Sequence, residues 1–279
     1  MPTNVNYSGV PTETDMRNVL LPEPEEMFQF RNAYQVDSEA PNRDGDSVEY
    51  PAISEDFDGE MVEVEQGSDY PRADMNYDGV RAAWTDYGFE VVIHDNDIQD
   101  STVNVTLATQ MRMSEEEQRR LDGIAYSVLN ANRNSTTIGT DGTDFNYNAA
   151  VSAYTTLVDA GYNPDRFVWF LSPDAWGDWI TTNEFASSTE TFADELRGAG
   201  PSVTEIMGRP ALLTNTGDLG ADEAMLVDTG VYGWESPRSS FDITRYREDS
   251  KKQWVYQVSG RIDWVPTEPD AALKVQGGV

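Results

Sequence analysis

Residues 146–185 read NYNAAVSAYTTLVDAGYNPDRFVWFLSPDAWGDWITTNEF, and they carry the clearest structural signal in the chain. Small and apolar side chains recur at helical spacing over residues 149–160, and Gly161 follows where a left-handed residue would end a helix. The run FVWFLS at 167–172 is short and almost wholly apolar, which predicts a buried strand. A second helix is expected directly after Pro173. This order of helix, strand and helix predicts an α+β fold.

Other apolar runs predict strands on both sides of this unit. GFEVVIH at 88–94, PALLTN at 210–215 and AMLVD at 224–228 are short enough to be strands. From about 239 to 265, apolar and polar residues alternate, and this pattern predicts antiparallel β-structure.

Residues 115–131 have the pattern of an amphipathic helix. Ser114 and the three glutamates after it resemble a capping box, with acidic residues at the positive end of the helix dipole. The apolar face of this helix comprises Leu121, Ile124, Ala125, Val128 and Leu129. Apolar residues alternate as in a strand over 103–107, so a continuous helix from about residue 97 is only an alternative prediction.

Residues 44–66 have the pattern of a β-hairpin. Val48, Tyr50 and Ala52 alternate with polar neighbours, and residues 61–64 do the same after a turn at Asp58-Gly59. The many acidic side chains predict a ribbon exposed on both faces. A two-stranded ribbon is marginally stable alone, so it is expected to lie against another surface, which need not belong to the same chain.

The charge of the chain is strongly negative. Its 279 residues (31.1 kDa) include 19 Lys and Arg against 50 Asp and Glu, which gives a net charge of −31. A folded monomer of this mass exposes about 12,000 Å², or one net negative charge per roughly 400 Å². Only three of the cations are lysines. This composition favours a protein adapted to molar salt, where the Debye length is about 3 Å; an ordinary acidic protein or a calcium binder is the alternative.

The residue inventory excludes several functional classes. The chain has no cysteine and one histidine, His94, so disulfides, thiolate catalysis and His-rich metal sites are excluded. A partly buried structural role is favoured for His94 over a catalytic one. No phosphate-binding glycine motif is present, and Asp44-Gly-Asp46 and Asp141–Asp144 are only fragments of calcium loops. The sequence therefore predicts no enzyme, no catalytic residue, no cofactor and no metal.

The chain also lacks the features of a membrane or nucleic-acid-binding protein. No apolar stretch reaches 18 residues, and the N-terminus has neither the basic nor the apolar region of a secretion signal. The largest clusters of cations are the pairs Arg119-Arg120 and Lys251-Lys252. The sequence therefore does not favour direct binding to nucleic acid through a basic patch.

Three segments, together with the order of the elements, resemble one family. They are 31–53 (RNAYQVDSEAPNRDGDSVEYPAI), 146–185, and 206–234 (IMGRPALLTNTGDLGADEAMLVDTGVYGW). The residues that carry the match are Arg166, Pro173, Trp179, Ile206, Gly208, Arg209 and Pro210. These segments resemble the major capsid proteins of tailed double-stranded DNA viruses, whose fold is shared by tailed bacteriophages, herpesviruses and encapsulins.

The resemblance implies a tailed-phage capsid fold with five segments. They are an N-terminal arm at 1–41, an extended β-hairpin loop at 42–75, a peripheral domain at 76–144 with a spine helix within 97–132, an axial domain at 145–235, and a return to the peripheral domain at 236–279. Residues 42–72 contain no lysine, so the Lys–Asn cross-link of some family members is not expected. About forty residues precede the loop, so scaffolding is expected from a separate protein.

The resemblance also implies a function and partners. The chain would assemble with itself into hexamers and pentamers of an icosahedral virion capsid, in the host cytoplasm, around DNA that it does not bind specifically. Portal, scaffolding and decoration proteins would be its partners, and its composition favours a virus of halophilic archaea. The residues predicted at contacts between subunits are Arg31, Arg43, Asp44, Asp46, Asp58, Glu60, Arg72, Arg81, Arg245 and Arg247.

Three alternatives remain open from the sequence. An encapsulin-type cellular shell would share the fold, and a halophilic acidic hydrolase or carbohydrate-binding protein would be a small oligomer. A virus tail or decoration protein would form trimers or rings. Particle mass distinguishes the small oligomer of an enzyme from a capsid, whereas a genomic neighbourhood with a terminase, portal and protease rather than a cargo enzyme distinguishes a capsid from an encapsulin.

Overall fold

The computed structural model describes residues 27–53, 63, 77–101, 105–181 and 204–279. These residues form a six-stranded sheet, a four-stranded sheet, a separate two-stranded ribbon and four α-helices. The predicted α+β class is confirmed. None of the helices in these ranges is long and apolar enough to cross a membrane.

The elements have the following bounds. The strands are β1 (Gln35–Val36), β2 (Ser47–Ile53), β3 (Tyr77–Ala83), β4 (Thr85–His94), β5 (Thr137–Ile138), β6 (Phe167–Leu171), β7 (Thr204–Ile206), β8 (Arg209–Leu213), β9 (Glu223–Asp228), β10 (Gly233–Glu248), β11 (Gln253–Pro266) and β12 (Ala272–Gln276). The helices are α1 (Asp95–Asp100), α2 (Val105–Ala131), α3 (Tyr147–Asp159) and α4 (Pro173–Thr181), with 3-10 helices at Phe30–Ala33, Ala40–Asn42, Pro164–Arg166 and Pro269–Ala271.

The six-stranded sheet has the order β5-β12-β9-β6-β8-β7 and contains the decisive segment. Trp169 of β6 is fully buried in a cluster with Leu157 of α3 and Trp179 of α4. On the other face of β6, Phe170 stacks on Phe30 with ring centroids 5.7 Å apart. Because both faces of β6 are covered, its sequence is continuously apolar rather than alternating. The helix, strand and helix predicted over 146–185 are confirmed, and Gly161 has the expected positive φ of 92°.

The four-stranded sheet has the order β1-β10-β11-β4 and is dominated by the long antiparallel hairpin β10–β11. The predicted strand at 88–94 lies within β4, beside β11. Helix α2 covers one face of this sheet, where Met113 packs in a cluster with Ile93, Tyr256 and Val258. The antiparallel structure predicted over 239–265 is therefore confirmed.

Helix α2 begins ten residues before the predicted helix start. Val105 and Leu107 are helical rather than part of a strand, and Ser114 lies inside the helix instead of capping it. The alternation of apolar residues was too short a pattern to distinguish a strand from the first turn of a helix. Val105 and Met113 instead lie two helical turns apart and both pack on the four-stranded sheet, so tertiary contacts extend the helix through the apparent capping box.

The ribbon consists of β2 and β3, which pair antiparallel with Tyr50 opposite Val80. The predicted first strand is confirmed, and in the described residues it pairs with 77–83; apart from Glu63, the predicted partner at 61–64 lies outside the described residues. The prediction that both faces are exposed is wrong for the described part of the ribbon. Val48, Tyr50 and Ala82 are buried against Val265 of the same chain, since one face of the ribbon packs on the four-stranded sheet.

Two short strands join segments that the predicted domains separate. Residues 134–148 are largely loop, as predicted, but Thr137–Ile138 forms β5 beside β12. β12, from the predicted return at 236–279, pairs with β9 in the six-stranded sheet. Residues Ala272 to Val275 are buried, so this strand completes the larger core. The domain boundaries stay predictions.

Candidate functional site

Of the charged residues predicted at subunit contacts, those that the structure describes lie in two groups at opposite ends of β11. One group surrounds the ribbon base, which comprises residues 37–50 and Trp84. The other lies at the hairpin tip, which comprises residues 245–254: the end of β10, the turn and the start of β11. Trp254 and Trp264 lie near the two ends of β11, and the ten residue steps from one to the other span roughly 33 Å of extended strand.

Arg31 anchors the chain before the ribbon to the four-stranded sheet. Its Nε donates to Glu235 Oε2 at 3.0 Å, and its Nη2 donates to the other oxygen of the same carboxylate. Trp264 Nε1 also donates to Glu235 Oε2, at 3.2 Å. The hydrogen bond to Glu235 raises the pKa of Arg31. Even so, 38% of the Arg31 side chain is exposed to solvent, so part of this side chain remains accessible.

Asp122 of α2 holds the same segment from the opposite side. Its two carboxylate oxygens accept the backbone N–H groups of Gln29 and Arg31, both at 3.2 Å. Asp122 is fully buried. Burial raises its pKa to about 6 despite the opposing effect of these hydrogen bonds. The end of the predicted arm is thus fixed to the middle of α2 by one buried carboxylate.

Asp37 organises the entry to the ribbon. Its Oδ2 accepts a 2.7 Å hydrogen bond from the Tyr50 hydroxyl and lies 3.1 Å from Arg43 Nη2, while its Oδ1 accepts from the backbone N–H of Glu39. The Tyr50 ring stacks on Trp234 with ring centroids 5.5 Å apart, and burial raises the pKa of the Tyr50 hydroxyl to about 12. Arg43 therefore makes an ion pair within its own chain, although 43% of its side chain is exposed.

Three other predicted residues near the ribbon base face solvent. Asp44 and Asp46 are exposed in the turn before β2, where Gly45 has a φ of 103°. Arg81 is exposed on β3, opposite Glu49 in the strand register. Asp58, Glu60 and Arg72 lie outside the described residues.

At the hairpin tip, the last two predicted arginines pack on the ring of one tryptophan. The guanidinium carbons of Arg245 and Arg247 lie 5.3 and 5.2 Å from the ring centre of Trp254. Arg247 also binds Asp95 of α1 through two bonds of 3.0 and 2.7 Å, and Asp249 through one of 2.6 Å. The hydrogen bond to Asp95 is the main cause of the raised pKa of Arg247. The tip is thus a cationic surface tied to α1.

The sequence reasoning missed four side chains that organise these groups: Asp37, Asp122, Glu235 and Arg238. Asp122 lies on the helix face that the pattern identified as apolar, beside Leu121, and this was the one signal that could have revealed it. The other three look like ordinary surface charges in a chain this acidic. His94 is the last residue of β4 and is exposed rather than partly buried.

Acidic residues also approach one another at the edge of the six-stranded sheet. Burial raises the pKa of Asp222, and a hydrogen bond with Asp178 and the charges of Asp174 and Asp144 raise it further. Among the residues that the structure describes, no group of three or more His, Cys, Asp or Glu has an arrangement that could hold a metal.

Comparison with known sequences identifies one family. The family described as "Phage capsid protein" matches residues 77–275, which include β3 to β12 except for the last residue of β12. No curated protein sequence matches the chain.

Solved structures with the same fold come from several phages and related particles. A protein of Mycobacterium phage Che8 has a TM-score of 0.72 at 13% identity, covering 93% of this chain and 95% of that chain. The capsid of cyanophage P-SCSP1u gives 0.69 at 12%, covering 93% and 90%. The capsid of a native GTA particle gives 0.66 at 14%, covering 100% of both chains. These similarities confirm the predicted tailed-phage capsid fold.

Proposed function

Since this chain belongs to the phage capsid protein family, we propose that it is the major capsid protein of a tailed double-stranded DNA virus. In this role it assembles with itself into the hexamers and pentamers of an icosahedral virion shell. The observation that carries the proposal is the family match over 77–275, which spans both sheets and α2. Membership of this family indicates a structural, non-enzymatic protein, which disfavours the hydrolase alternative.

The two charged groups at the ends of β11 support the proposal as contact surfaces between subunits. Arg81 and Arg245 are exposed, and the structure gives neither of them an ion pair among the described residues. Arg31, Arg43 and Arg247 are paired in the chain, but each side chain remains about two-fifths exposed. A guanidinium has five N–H donors, so each can bind a further carboxylate from a neighbouring subunit.

Asp44 and Asp46 are exposed acceptors at the ribbon base for such arginines. Asp58, Glu60 and Arg72 complete the proposed set.

Adaptation to high salt belongs to the same proposal. A net charge of −31 on each subunit makes the association of many copies electrostatically unfavourable at low ionic strength. In molar salt the Debye length falls to about 3 Å, so the repulsion between subunits is screened. We therefore propose a virus of a halophilic archaeal host, with assembly in the host cytoplasm.

The proposed partners follow from the same charge. An acidic inner surface would repel DNA, so the shell encloses DNA without binding it specifically. Packaging would then rely on a portal complex, and shell size on a scaffolding protein, with decoration proteins as further candidates.

Electron microscopy of the purified protein in about 2 M salt tests the proposal. Closed shells, or hexameric and pentameric rings, are expected. Dialysis to about 0.1 M salt, where the Debye length is near 10 Å, should dissolve them. Arg81→Glu should lower the yield of shells, whereas Arg81→Lys should retain it because the charge is kept. Small uniform oligomers in high salt, with and without co-expressed scaffolding protein, would contradict the capsid assignment.

A further inference from the structure

We propose that Arg238 is the positioning residue that sets the direction in which the ribbon leaves the four-stranded sheet, and so presents the ribbon to neighbouring subunits. The effect on subunits rests on the proposed function. The clamp itself is a property of the single chain and can be tested separately.

Arg238 contacts the segment that leads into the ribbon. Its Nη1 donates to the carbonyl oxygens of Ala40 at 3.3 Å and Pro41 at 3.1 Å, and also to that of Arg43. These carbonyls belong to the 3-10 helix Ala40–Asn42 and the residue after it, just before β2 begins at Ser47. The Ala40 carbonyl also accepts the backbone N–H of Arg43, and a cation at this position interacts favourably with the carbonyl groups at the end of the helix.

The same side chain contacts the residue at which the chain leaves the ribbon. Its guanidinium carbon lies 4.8 Å from the ring centre of Trp84, which is the single residue between β3 and β4. Trp84 is 6% exposed, and its Nε1 donates to Ser236 Oγ at 3.0 Å. Arg238 therefore holds the entry and the exit of the ribbon together, against one point on β10.

A bulge in β10 places Arg238 where it can do this. Pro237 pairs with Ile262, and Ser239 pairs with the preceding residue, Arg261, so Arg238 is the extra residue without a register partner. A β-bulge redirects the side chain of its extra residue away from the regular alternation. The irregularity is thus accounted for by the contacts that Arg238 makes.

No ladder of strand hydrogen bonds fixes the ribbon to the four-stranded sheet in the described residues, because β2 and β3 form a sheet of their own. The apolar contact beneath the ribbon is small, with a buried cluster of Ala40, Val48, Tyr50, Ala82, Trp84 and Val265. Polar contacts therefore contribute to the orientation: those of Arg238 and Asp37, and the hydrogen bond that the Ala83 N–H donates to Asp263 Oδ2 of β11 at 2.8 Å. Lysine should not replace Arg238, because an ammonium group has no planar face to lie on Trp84 while its one nitrogen binds the carbonyls.

The test uses the full chain with Arg238→Gln and Arg238→Lys, and Arg261→Gln as the matched control. Arg261 is also a half-exposed arginine of the four-stranded sheet, and it pairs with Asp86 at 2.8 Å instead of contacting the ribbon. Hydrogen exchange of the amides in 47–53 and 77–83 should become roughly tenfold faster in both Arg238 variants, because local opening controls their exchange. The control should match the wild type. Thermal unfolding midpoints should remain similar in all three variants.

Shell assembly in about 2 M salt gives the second readout. Both Arg238 variants should give fewer closed shells or a wider spread of diameters than the control. Unchanged exchange at the ribbon would overturn the clamp. Faster exchange with normal shells would overturn the positioning role. If the wild type itself forms no shells, the proposed function fails, while the exchange experiment still decides the clamp.

Discussion

Replacing Asp122 with asparagine should change how the stability of the protein depends on pH. The carboxylate is fully buried on α2 and accepts N–H groups from Gln29 and Arg31 at 3.2 Å. Burial raises its pKa from 3.8 to about 6, a difference of 6 − 3.8 = 2.2. At 1.36 kcal/mol per pKa unit, this corresponds to about 3 kcal/mol.

The sign follows from where the proton is bound. Below pH 3.8, Asp122 is protonated in both the folded and unfolded states. As the pH rises toward 6, the unfolded chain loses the proton first, so the wild type loses about 3 kcal/mol of stability. Asparagine does not titrate. The stability of Asp122→Asn minus that of the wild type should therefore rise by about 3 kcal/mol between pH 4 and pH 7.

Denaturant unfolding at a series of pH values in about 2 M salt would measure this difference, because the other carboxylates contribute equally to both proteins. Asp122→Ala is the control. It should show the same pH slope with a constant offset to lower stability, since two backbone N–H groups lose their acceptor. A flat or falling difference would refute the reasoning, and would mean that the N–H groups of Gln29 and Arg31 outweigh desolvation.

Three further predictions concern stability and are checked by denaturant unfolding in high salt. Trp169→Ala should cost about 3–5 kcal/mol, because the side chain is fully buried in the six-stranded sheet; a smaller loss would mean that the core collapses into the cavity. Lys274→Met should cost about 3–5 kcal/mol by leaving Glu223, 2.8 Å away, as an unpaired buried charge. Adding Glu223→Gln should recover part of that loss, and a purely additive double mutant would contradict the pairing. Gly161→Ala should cost about 1 kcal/mol through its φ of 92° alone, because nothing lies within 4 Å of the added methyl group; an unchanged midpoint would show that the turn relaxes.

Elements whose patterns are local could be predicted from the sequence. Helix α3, strand β6 and helix α4 follow from apolar spacing over 10–15 residues, and Gly161 marks the end of the first helix. The strands at 88–94 and 224–228 were recognisable in the same way. The resemblance in 31–53, 146–185 and 206–234 then led to the capsid fold.

The sequence alone therefore determined the α+β class, most of the regular elements and the acidic surface. The tertiary structure decided the start of α2, the pairing of β2 with β3 and the partners of the arginines. The physical reason is distance along the chain. Arg31 and Glu235 are 204 residues apart, and Arg31 and Asp122 are 91 residues apart. In a chain with 50 acidic residues, local pattern cannot identify which carboxylate an arginine will meet, because only the packing of the two sheets and α2 brings those pairs together.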